Sequence, residues 1–316
     1  MAIARSRRDR QVAVALRSPP QRPAWRRALP ENLTGWGFVL PASILILGLG
    51  FFPVLWSFLL STKAAAPFVP EHYVGLANYR ELADDPDFSA AVGRSLRFIA
   101  LYVPLTVGLG LGLALLLNQR IRGIGIYRTC FFVPFVASAA ATGVIFNYLL
   151  DPQYGILDNT LAWVGLGRPL FLEDPDRALY VLAPIYMWTA VGFDVLIYLA
   201  ALQDLPQDQI EAARIDGAGR IAVFRHVILP TLRPITTLAV IWEVINGLQF
   251  FDIVWTTTKG GPIDATTVVI VYAYKLAFQG NQFGYGAAAA CVLFVSITLV
   301  VMMSVVYGRV RKVNVY

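Results

Sequence analysis

The chain has 316 residues, of which 57% are hydrophobic and 15% are charged, and its mean hydropathy is +0.60. Soluble domains carry about 25% charged residues, so this composition excludes an ordinary soluble protein and indicates a membrane protein. The formal net charge of +6 lies in short segments beside apolar runs, which indicates membrane topology and argues against nucleic-acid binding.

Residues 1–35 form a basic tail with eight arginines and three closely spaced prolines, which we predict to be mobile and to face the cytoplasm. The apolar run that follows is much longer than the roughly 7–15 apolar residues of a signal peptide. We therefore predict an uncleaved first transmembrane segment over residues 36–62.

Six apolar runs predict six transmembrane helices, because about 20 apolar residues cross the hydrocarbon core. Their predicted ranges are 36–60, 98–117, 127–150, 178–203, 235–257 and 285–307. The fold class is therefore all-α and polytopic, with a permease core over residues 90–308. In the loops 63–97 and 151–177, turn residues and aromatic residues predict short amphipathic helices at the outer surface.

The cations are divided unequally between the two sides of these spans. One side, which includes both termini and the loop 204–233, carries 18 of the 26 lysines and arginines. Positive residues stay in the cytoplasm, so we expect this side to be cytoplasmic. The acidic cluster Asp84, Asp85 and Asp87 then lies outside, and we interpret it as a solvated face and not as a metal site.

The loop 204–233 is polar and prone to form helices. Asp204 is a plausible helix N-cap, with Pro206 in the first turn and Gly217 at the end of the first helix. A second helix, 220–229, repeats apolar residues at helical spacing. Periodicity alone leaves two interpretations open: an interfacial helix that rests on lipid, or a knob that another protein binds.

Several segments carry a family resemblance. The loop contains EAA at Glu211–Ala213, then Gly217 and ILP at Ile228–Pro230. VGLANYREL (74–82), GLGLALLLNQRIRGIGIYRTCFFVP (110–134) and LQFFDIVWTTTKGGPIDATTVV (248–269) extend the match over most of residues 72–308. Together they resemble carbohydrate-type permeases of binding-protein-dependent ABC transporters, similar to the first permease subunit of the maltose and glycerol-3-phosphate systems.

The resemblance implies an ABC importer type I permease fold in a bacterial or archaeal cytoplasmic membrane. It implies coupling to an ATPase through Glu211, Ala212, Ala213, Arg214, Asp216 and Gly217. The implied partners are a second six-span permease, a cytoplasmic ATPase dimer, an extracytoplasmic solute-binding protein, a sugar or sugar-like solute and membrane lipid. None of the four lysines follows a glycine-rich phosphate loop, so we expect ATP and Mg²⁺ on the partner ATPase and no cofactor in this chain.

Polar residues within the spans are the candidates for the substrate pathway: Asp194, Tyr198, Glu243, Asn246, Gln249 and Asp252. Ionisable groups at membrane depth usually face a cavity or a partner, and aromatic faces such as Tyr186 and Trp188 suit a sugar ring. Hydrogen bonds between helices are the competing interpretation. Neither Asp194 nor Glu243 has an obvious cationic neighbour in the spans, which favours a neutral sugar.

Two other classes of protein stay open. An ion-coupled secondary transporter would relay protons through the buried acids and would need no ATPase. An enzyme would need a catalytic cluster, but His72 and His226 have no serine or cysteine partner at a convincing spacing. We therefore expect no catalytic residues and no metal site in this chain.

Overall fold

A computed structural model describes residues 31–119, 122–165 and 167–310. Most of the predicted basic tail lies outside these residues, although a helix already begins at Glu31. The chain divides into two compact units, the first ending at Trp56 and the second beginning at Ser57. Almost all of the regular structure is helical, which confirms the predicted all-α class.

The elements before the fourth span are as follows. The first span consists of α1 (Glu31–Leu45), a π-helical segment (Ile46–Phe51) and α2 (Phe52–Leu60). A hairpin of β1 (Lys63–Ala66) and β2 (Val69–Tyr73), α3 (Ala77–Asp84), α4 (Pro86–Leu117), α5 (Ile124–Val136), α6 (Ala139–Leu149) and α7 (Ile156–Trp163) follow.

The second half contains α8 (Ala178–Gln203), α9 (Gln207–Ile215) and α10 (Arg220–Val223), with a π-helical segment (Phe224–Ile228) and α11 (Leu229–Thr231). It continues with α12 (Arg233–Leu248), α13 (Asp252–Thr257), α14 (Val269–Tyr274), a π-helical segment (Lys275–Gln279) and α15 (Phe283–Val310).

Five helical stretches among the described residues are long and apolar enough to cross a membrane, at 35–60, 86–117, 178–203, 233–257 and 283–306. The predicted third span is instead a pair, α5 and α6, bent by 97°. The backbone turns at Ala137, which is extended, and the hydroxyl of Ser138 then accepts from the N–H of Ala141 to cap α6. Counting the pair as one span gives the six that the sequence predicts.

The second span is longer than predicted. It begins at Pro86 and not near residue 98, because Asp85 caps it and Pro86 occupies the first turn, where a missing N–H costs nothing. The loop between the first and second spans is correspondingly short and holds the hairpin, in which Lys63 pairs with Tyr73. The short helices predicted in the loops 63–97 and 151–177 are present as α3 and α7.

The core lies where α4 packs along α8. Gly110 of α4 makes this approach possible, since a Cβ atom there would lie 2.5 Å from the Cβ of Asp194. Fully buried side chains surround the contact, among them Phe98, Tyr102 and Leu182. Close approach at a small residue is the usual means of packing membrane helices, since lipid supplies no hydrophobic drive between them.

We predict that Gly110→Ala lowers the thermal unfolding midpoint in detergent, because the added methyl group forces α4 and α8 apart at a cost of about 1–3 kcal/mol. Gly112→Ala is the matched control, because its Cβ would meet nothing within 4 Å. There the higher helix propensity of alanine should leave the midpoint unchanged or raise it. Equal midpoints for the two variants would contradict this account of the α4–α8 contact.

Asp85 joins three helices at the loop end of α4. One carboxylate oxygen caps α4 by accepting from the N–H groups of Asp87 at 2.8 Å and Phe88 at 3.3 Å. The other oxygen accepts from the hydroxyl of Tyr285 at 2.8 Å and from that of Tyr272. The interpretation of this acid as part of a solvated face is therefore wrong for Asp85, although Asp84 and Asp87 are exposed.

Partial burial of Asp85 acts to raise its pKa, but the hydrogen bonds from Tyr272, Tyr285 and the two N–H groups outweigh it and hold the pKa below its usual value. A lowered pKa in the folded state stabilises the fold above the unfolded-state pKa of about 3.9. That stabilisation is lost as the pH falls through the lower, folded-state pKa.

We therefore predict that Asp85→Asn lowers the thermal midpoint at pH 7, by an amount equivalent to about 1–3 kcal/mol for the lost charge-assisted bonds. The difference from the unmodified protein should shrink as the pH falls below 4. Asp84→Asn, at the exposed neighbouring position, should leave the midpoint unchanged. A difference that stays constant from pH 7 to pH 3 would argue against a charged Asp85 at this junction.

Candidate functional site

Residues 204–233, here called the EAA loop, connect the fourth and fifth spans. The predicted start of its first helix is wrong. Asp204 completes α8, since its N–H donates to the carbonyl of Ala200 at 3.2 Å. Pro206 is extended and precedes α9 in the N-cap position, so it does not lie in the first turn. The chain turns between the two helices at Leu205, whose side chain is buried.

The end of α9 agrees with the prediction. Gly217 has a φ of +86°, which favours glycine, and its N–H donates to the carbonyl of Arg214 at 3.0 Å. The N–H of Ala218 donates to the carbonyl of Ala213 at 2.9 Å. These two bonds form a Schellman motif, which satisfies the last carbonyls of the helix and fixes the turn.

The predicted second helix is also present, but its middle is π-helical over Phe224–Ile228. Helical structure continues past the predicted end at residue 229 to Thr231, because Pro230 lies in the first turn of α11, where a missing N–H costs nothing. The short break at Leu232 separates it from α12, and the buried Val223 anchors it to the rest of the protein.

The coupling residues that the family resemblance indicates lie together on this loop. Glu211, Ala212, Arg214, Asp216 and Gly217 are exposed, and Ala213 is half-buried. Sequence reasoning missed Ile215, whose side chain is 86% exposed; it precedes the turn, and Ile221, 82% exposed, follows it. A single exposed isoleucine is ordinary on a protein surface, so Ile215 alone was a weak signal, and it gains meaning only from the second exposed isoleucine beyond the turn.

A second region of interest is a break in the fifth span. Helix α12 ends at Leu248, and α13 begins at Asp252. A broken helix leaves backbone carbonyls without intrahelical partners, and at membrane depth it is tolerated only inside protein or beside a cavity. Here the carbonyl of Asn246 accepts from the N–H of Gln249 at 3.1 Å and, from the neighbouring helix, from the hydroxyl of Tyr186 at 3.3 Å.

Four aromatic rings hold this break in place. Phe250, within the break, stacks on Phe98 with centroids 4.0 Å apart and planes 5° apart. Phe98 also stacks on Tyr102 at 5.3 Å, and Tyr186 lies 4.6 Å from Phe250. The break is therefore an ordered feature packed on α4 and α8.

Glu243 lies on the buried face of α12. The hydroxyl of Tyr102 donates to its Oε2, and the side chain of Asn246 also lies beside the carboxylate. The contact favours the interhelical interpretation for this side chain over a position in an open cavity.

Asp194 and Tyr198 are also fully buried, on α8. The two carboxylate oxygens of Asp194 have no hydrogen-bond partner among the described residues, whereas the hydroxyl of Tyr198 lies beside the side chain of Thr236. Because α4 covers Asp194 through Gly110, this carboxylate can reach a solute only if α4 and α8 separate.

The remaining candidates are more accessible. Gln249 and Asp252 are exposed at the two ends of the break, and Asn246 is half-buried. Trp242 precedes Asn246 by one turn, so the two share one face of α12, and Gln249 follows directly after the end of that helix. Sequence reasoning missed Trp242, which is exposed and packs against Phe193 with ring centroids 4.9 Å apart. An aromatic residue one turn before one amide, Asn246, and two turns before another, Gln249, was the available signal.

Comparisons with known proteins agree with this architecture. Residues 105–313 match the family described as "Binding-protein-dependent transport system inner membrane component". A probable ABC transporter permease protein of Pyrococcus horikoshii is 34% identical over 268 residues, covering 84% of this chain and 92% of the relative. The trehalose/maltose transport system permease protein MalF of Thermococcus litoralis is 32% identical, covering 89% of this chain and 96% of the relative.

Among solved structures, a chain of a bacterial ABC transporter involved in the import of the acidic polysaccharide alginate has the same fold. Its TM-score is 0.77 at 23% identity, covering 88% of this chain and 96% of that chain. This likeness confirms the predicted ABC importer permease fold. With the family match over residues 105–313, it follows that the chain belongs to the family of binding-protein-dependent transport system inner membrane components.

Proposed function

We propose that this chain is a permease subunit of an ATP-driven importer for a sugar or sugar-like solute. The observation that carries the proposal is the EAA loop, a fixed helix–turn–helix with its charged residues and two isoleucines exposed. A partner protein that binds this exposed loop would be able to move the fifth span, which begins directly after the loop. The chain lacks a glycine-rich phosphate loop of its own, so a partner ATPase would supply the energy.

The proposed complex contains a second six-span permease, an ATPase dimer on the cytoplasmic side and a solute-binding protein on the opposite side. The cation distribution supports a cytoplasmic EAA loop. The relationship to a trehalose/maltose permease supports a sugar.

A pull-down of the chain in mild detergent, followed by mass spectrometry, tests the assembly. A second permease and an ATPase should accompany it. Solute uptake by the chain without an ATPase would instead favour an ion-coupled transporter.

In the proposed mechanism, closure of the ATPase dimer moves the EAA loop and, through α12, the break at Gln249–Phe251. The face with Trp242, Asn246 and Gln249 would bind the solute, the indole ring covering C–H groups and the amides bonding to hydroxyls. Asp194 and Tyr198 would reach the pathway when α4 and α8 separate.

The EAA loop gives the first prediction. Glu211→Lys reverses a charge at the proposed docking surface and should lower solute uptake and ATPase co-purification more than tenfold, because an unmatched charge at an interface costs about 2–5 kcal/mol. Gly217→Pro should also block uptake, since proline cannot adopt the φ of +86°.

Gln209→Lys is the control for these variants, because Gln209 is exposed and lies on another side of α9. It should retain uptake and ATPase binding at the level of the unmodified protein. Normal uptake by the Glu211→Lys variant, at normal membrane levels, would contradict a coupling role for the loop.

The helix break gives a second prediction. Gln249→Ala removes an amide from the proposed solute surface, and uptake should fall about threefold to tenfold, as expected for one lost hydrogen bond. ATP hydrolysis stimulated by the binding protein should persist, because the EAA loop is unchanged. Gln119→Ala, an exposed glutamine in the loop before α5, should leave uptake unaltered in the same vesicle assay. Equal effects of the two substitutions would remove Gln249 from the pathway.

A further inference from the structure

A polar cavity lies at the opposite end of the fifth span from the EAA loop. Its volume is about 200 Å³, and its walls include Asp87 and Arg94 from α4, Asp264 and Thr267 from the loop after α13, and Lys275. If the EAA loop is cytoplasmic, this cavity opens on the extracytoplasmic side. The inference below therefore rests on the proposed function.

In one wall of the cavity, hydrogen bonds hold Lys275, Asp264 and Thr267 together, and the charges of the lysine and the aspartate cancel. The Nζ of Lys275 donates to Oδ1 of Asp264 at 2.6 Å and to the hydroxyl of Thr267 at 3.0 Å. The Thr267 hydroxyl in turn donates to Asp264 at 2.8 Å, and the bond from Lys275 lowers the pKa of the Asp264 carboxyl. A Cβ at Gly260 would lie 2.6 Å from the Nζ of Lys275, so a glycine is needed here.

Arg94 is the cation that this wall leaves unmatched. Its side chain is half-buried, and it donates one long bond, from Nη1 to the carbonyl of Thr267 at 3.4 Å. It forms no ion pair with any acidic side chain in the described ranges. A guanidinium has five N–H donors in a planar fork that matches a carboxylate, so most of its binding capacity is unused.

The net charge of the cavity argues for a tethered carboxylate and against a free anion. Asp87 and Asp264 balance Arg94 and Lys275 in formal charge, so the cavity as a whole does not concentrate anions. A carboxylate on a docked protein needs no such long-range attraction, because docking itself brings it within hydrogen-bond distance of the Arg94 guanidinium.

The neighbouring loop offers an apolar contact for the same partner. Ile263, next to Asp264, is 88% exposed and has a φ of +48°, so its side chain projects from a tight turn. Ile263 is thus an exposed apolar side chain one residue from the cavity wall, and arginine, here Arg94 with spare donors, is enriched at binding hot spots.

We propose that this cavity receives an aspartate or glutamate side chain of the extracytoplasmic solute-binding protein when that protein docks. Arg94 binds the carboxylate, and Ile263 packs against apolar surface beside it.

The test uses the complete transporter in proteoliposomes, with ATP hydrolysis measured against the concentration of its solute-binding protein. Arg94→Gln should raise the half-saturating concentration about tenfold, as for the loss of a charge-assisted bond, and leave the basal rate unchanged. Arg94→Lys, which keeps the charge and loses the fork, should give an intermediate value.

Arg97→Gln is the matched control, since Arg97 is exposed on the same helix and its Nε donates to the carbonyl of Gly93 at 3.2 Å. It should match the unmodified transporter. Ile263→Ser, which disturbs no charge, should also raise the half-saturating concentration.

A charge-reversal experiment tests whether the role of Arg94 is purely structural. Arg94→Glu should be rescued by changing one surface acid of the binding protein to arginine, which a merely misfolded permease would not allow.

Three outcomes would overturn the proposal. The first is equal half-saturation for Arg94→Gln and Arg97→Gln. The second is Arg94-dependent binding of free glucuronate without the binding protein, which would assign the cavity to a soluble carboxylate. The third is an unmodified transporter that no binding protein stimulates, which would refute the proposed function itself and is recognised before any variant is made.

Discussion

The requirement that every backbone N–H and C=O be satisfied without water governs this molecule more than any other constraint. In the hydrocarbon core an unpaired group costs several kcal/mol, so the chain crosses as helices wherever it can. The two described departures are the 97° bend between α5 and α6 and the break between α12 and α13. At the bend, a serine caps the new helix. At the break, Phe250 is buried, and the hydroxyl of Tyr186 donates a hydrogen bond to the carbonyl of Asn246, one turn before Phe250.

Helix packing around the break depends on side-chain size. Because lipid tails are as apolar as leucine, helices in a membrane gain little from burying apolar surface and need close contact instead. Glycine supplies that contact at Gly110 against Asp194 and at Gly192, where a Cβ would lie 2.7 Å from the carbonyl of Phe131. These contacts join α4, α5 and α8 and leave a face of α12 with half-buried and exposed polar groups. The accessible polar surface is thus what the close-packed helices do not cover.

The sequence predicts the spans well where hydropathy alone decides, and α8 has the predicted bounds. It fails where a local polar contact overrides hydropathy. Pro86 begins α4 twelve residues early because Asp85 caps the helix, an Asp-Pro signal that hydropathy ignores. The two tyrosines that Asp85 also binds are nearly 200 residues away, and no local pattern reveals those partners. Asp204 looked like a helix start because aspartate is a preferred N-cap residue, but its N–H donates to the carbonyl of Ala200 and it ends α8 instead. For the candidate site, the EAA motif identified the loop from the sequence alone. The burial of Glu243 and Asp194 could not be predicted, because it depends on which faces of their helices pack against α4.

The geometry of α12 connects the two regions that the proposed function needs. Its 16 residues rise about 24 Å, most of the hydrocarbon thickness, with the EAA loop at one end and the break at the other. An intact helix transmits a displacement along its axis, whereas a break allows the two sides to move separately. A movement of the EAA loop would therefore carry Trp242 and Asn246 with it as a rigid unit, and Gln249–Phe251 would absorb the change. The aromatic stack of Phe250 on Phe98 opposes that change, so the proposed ATPase would have to supply enough energy to disturb it.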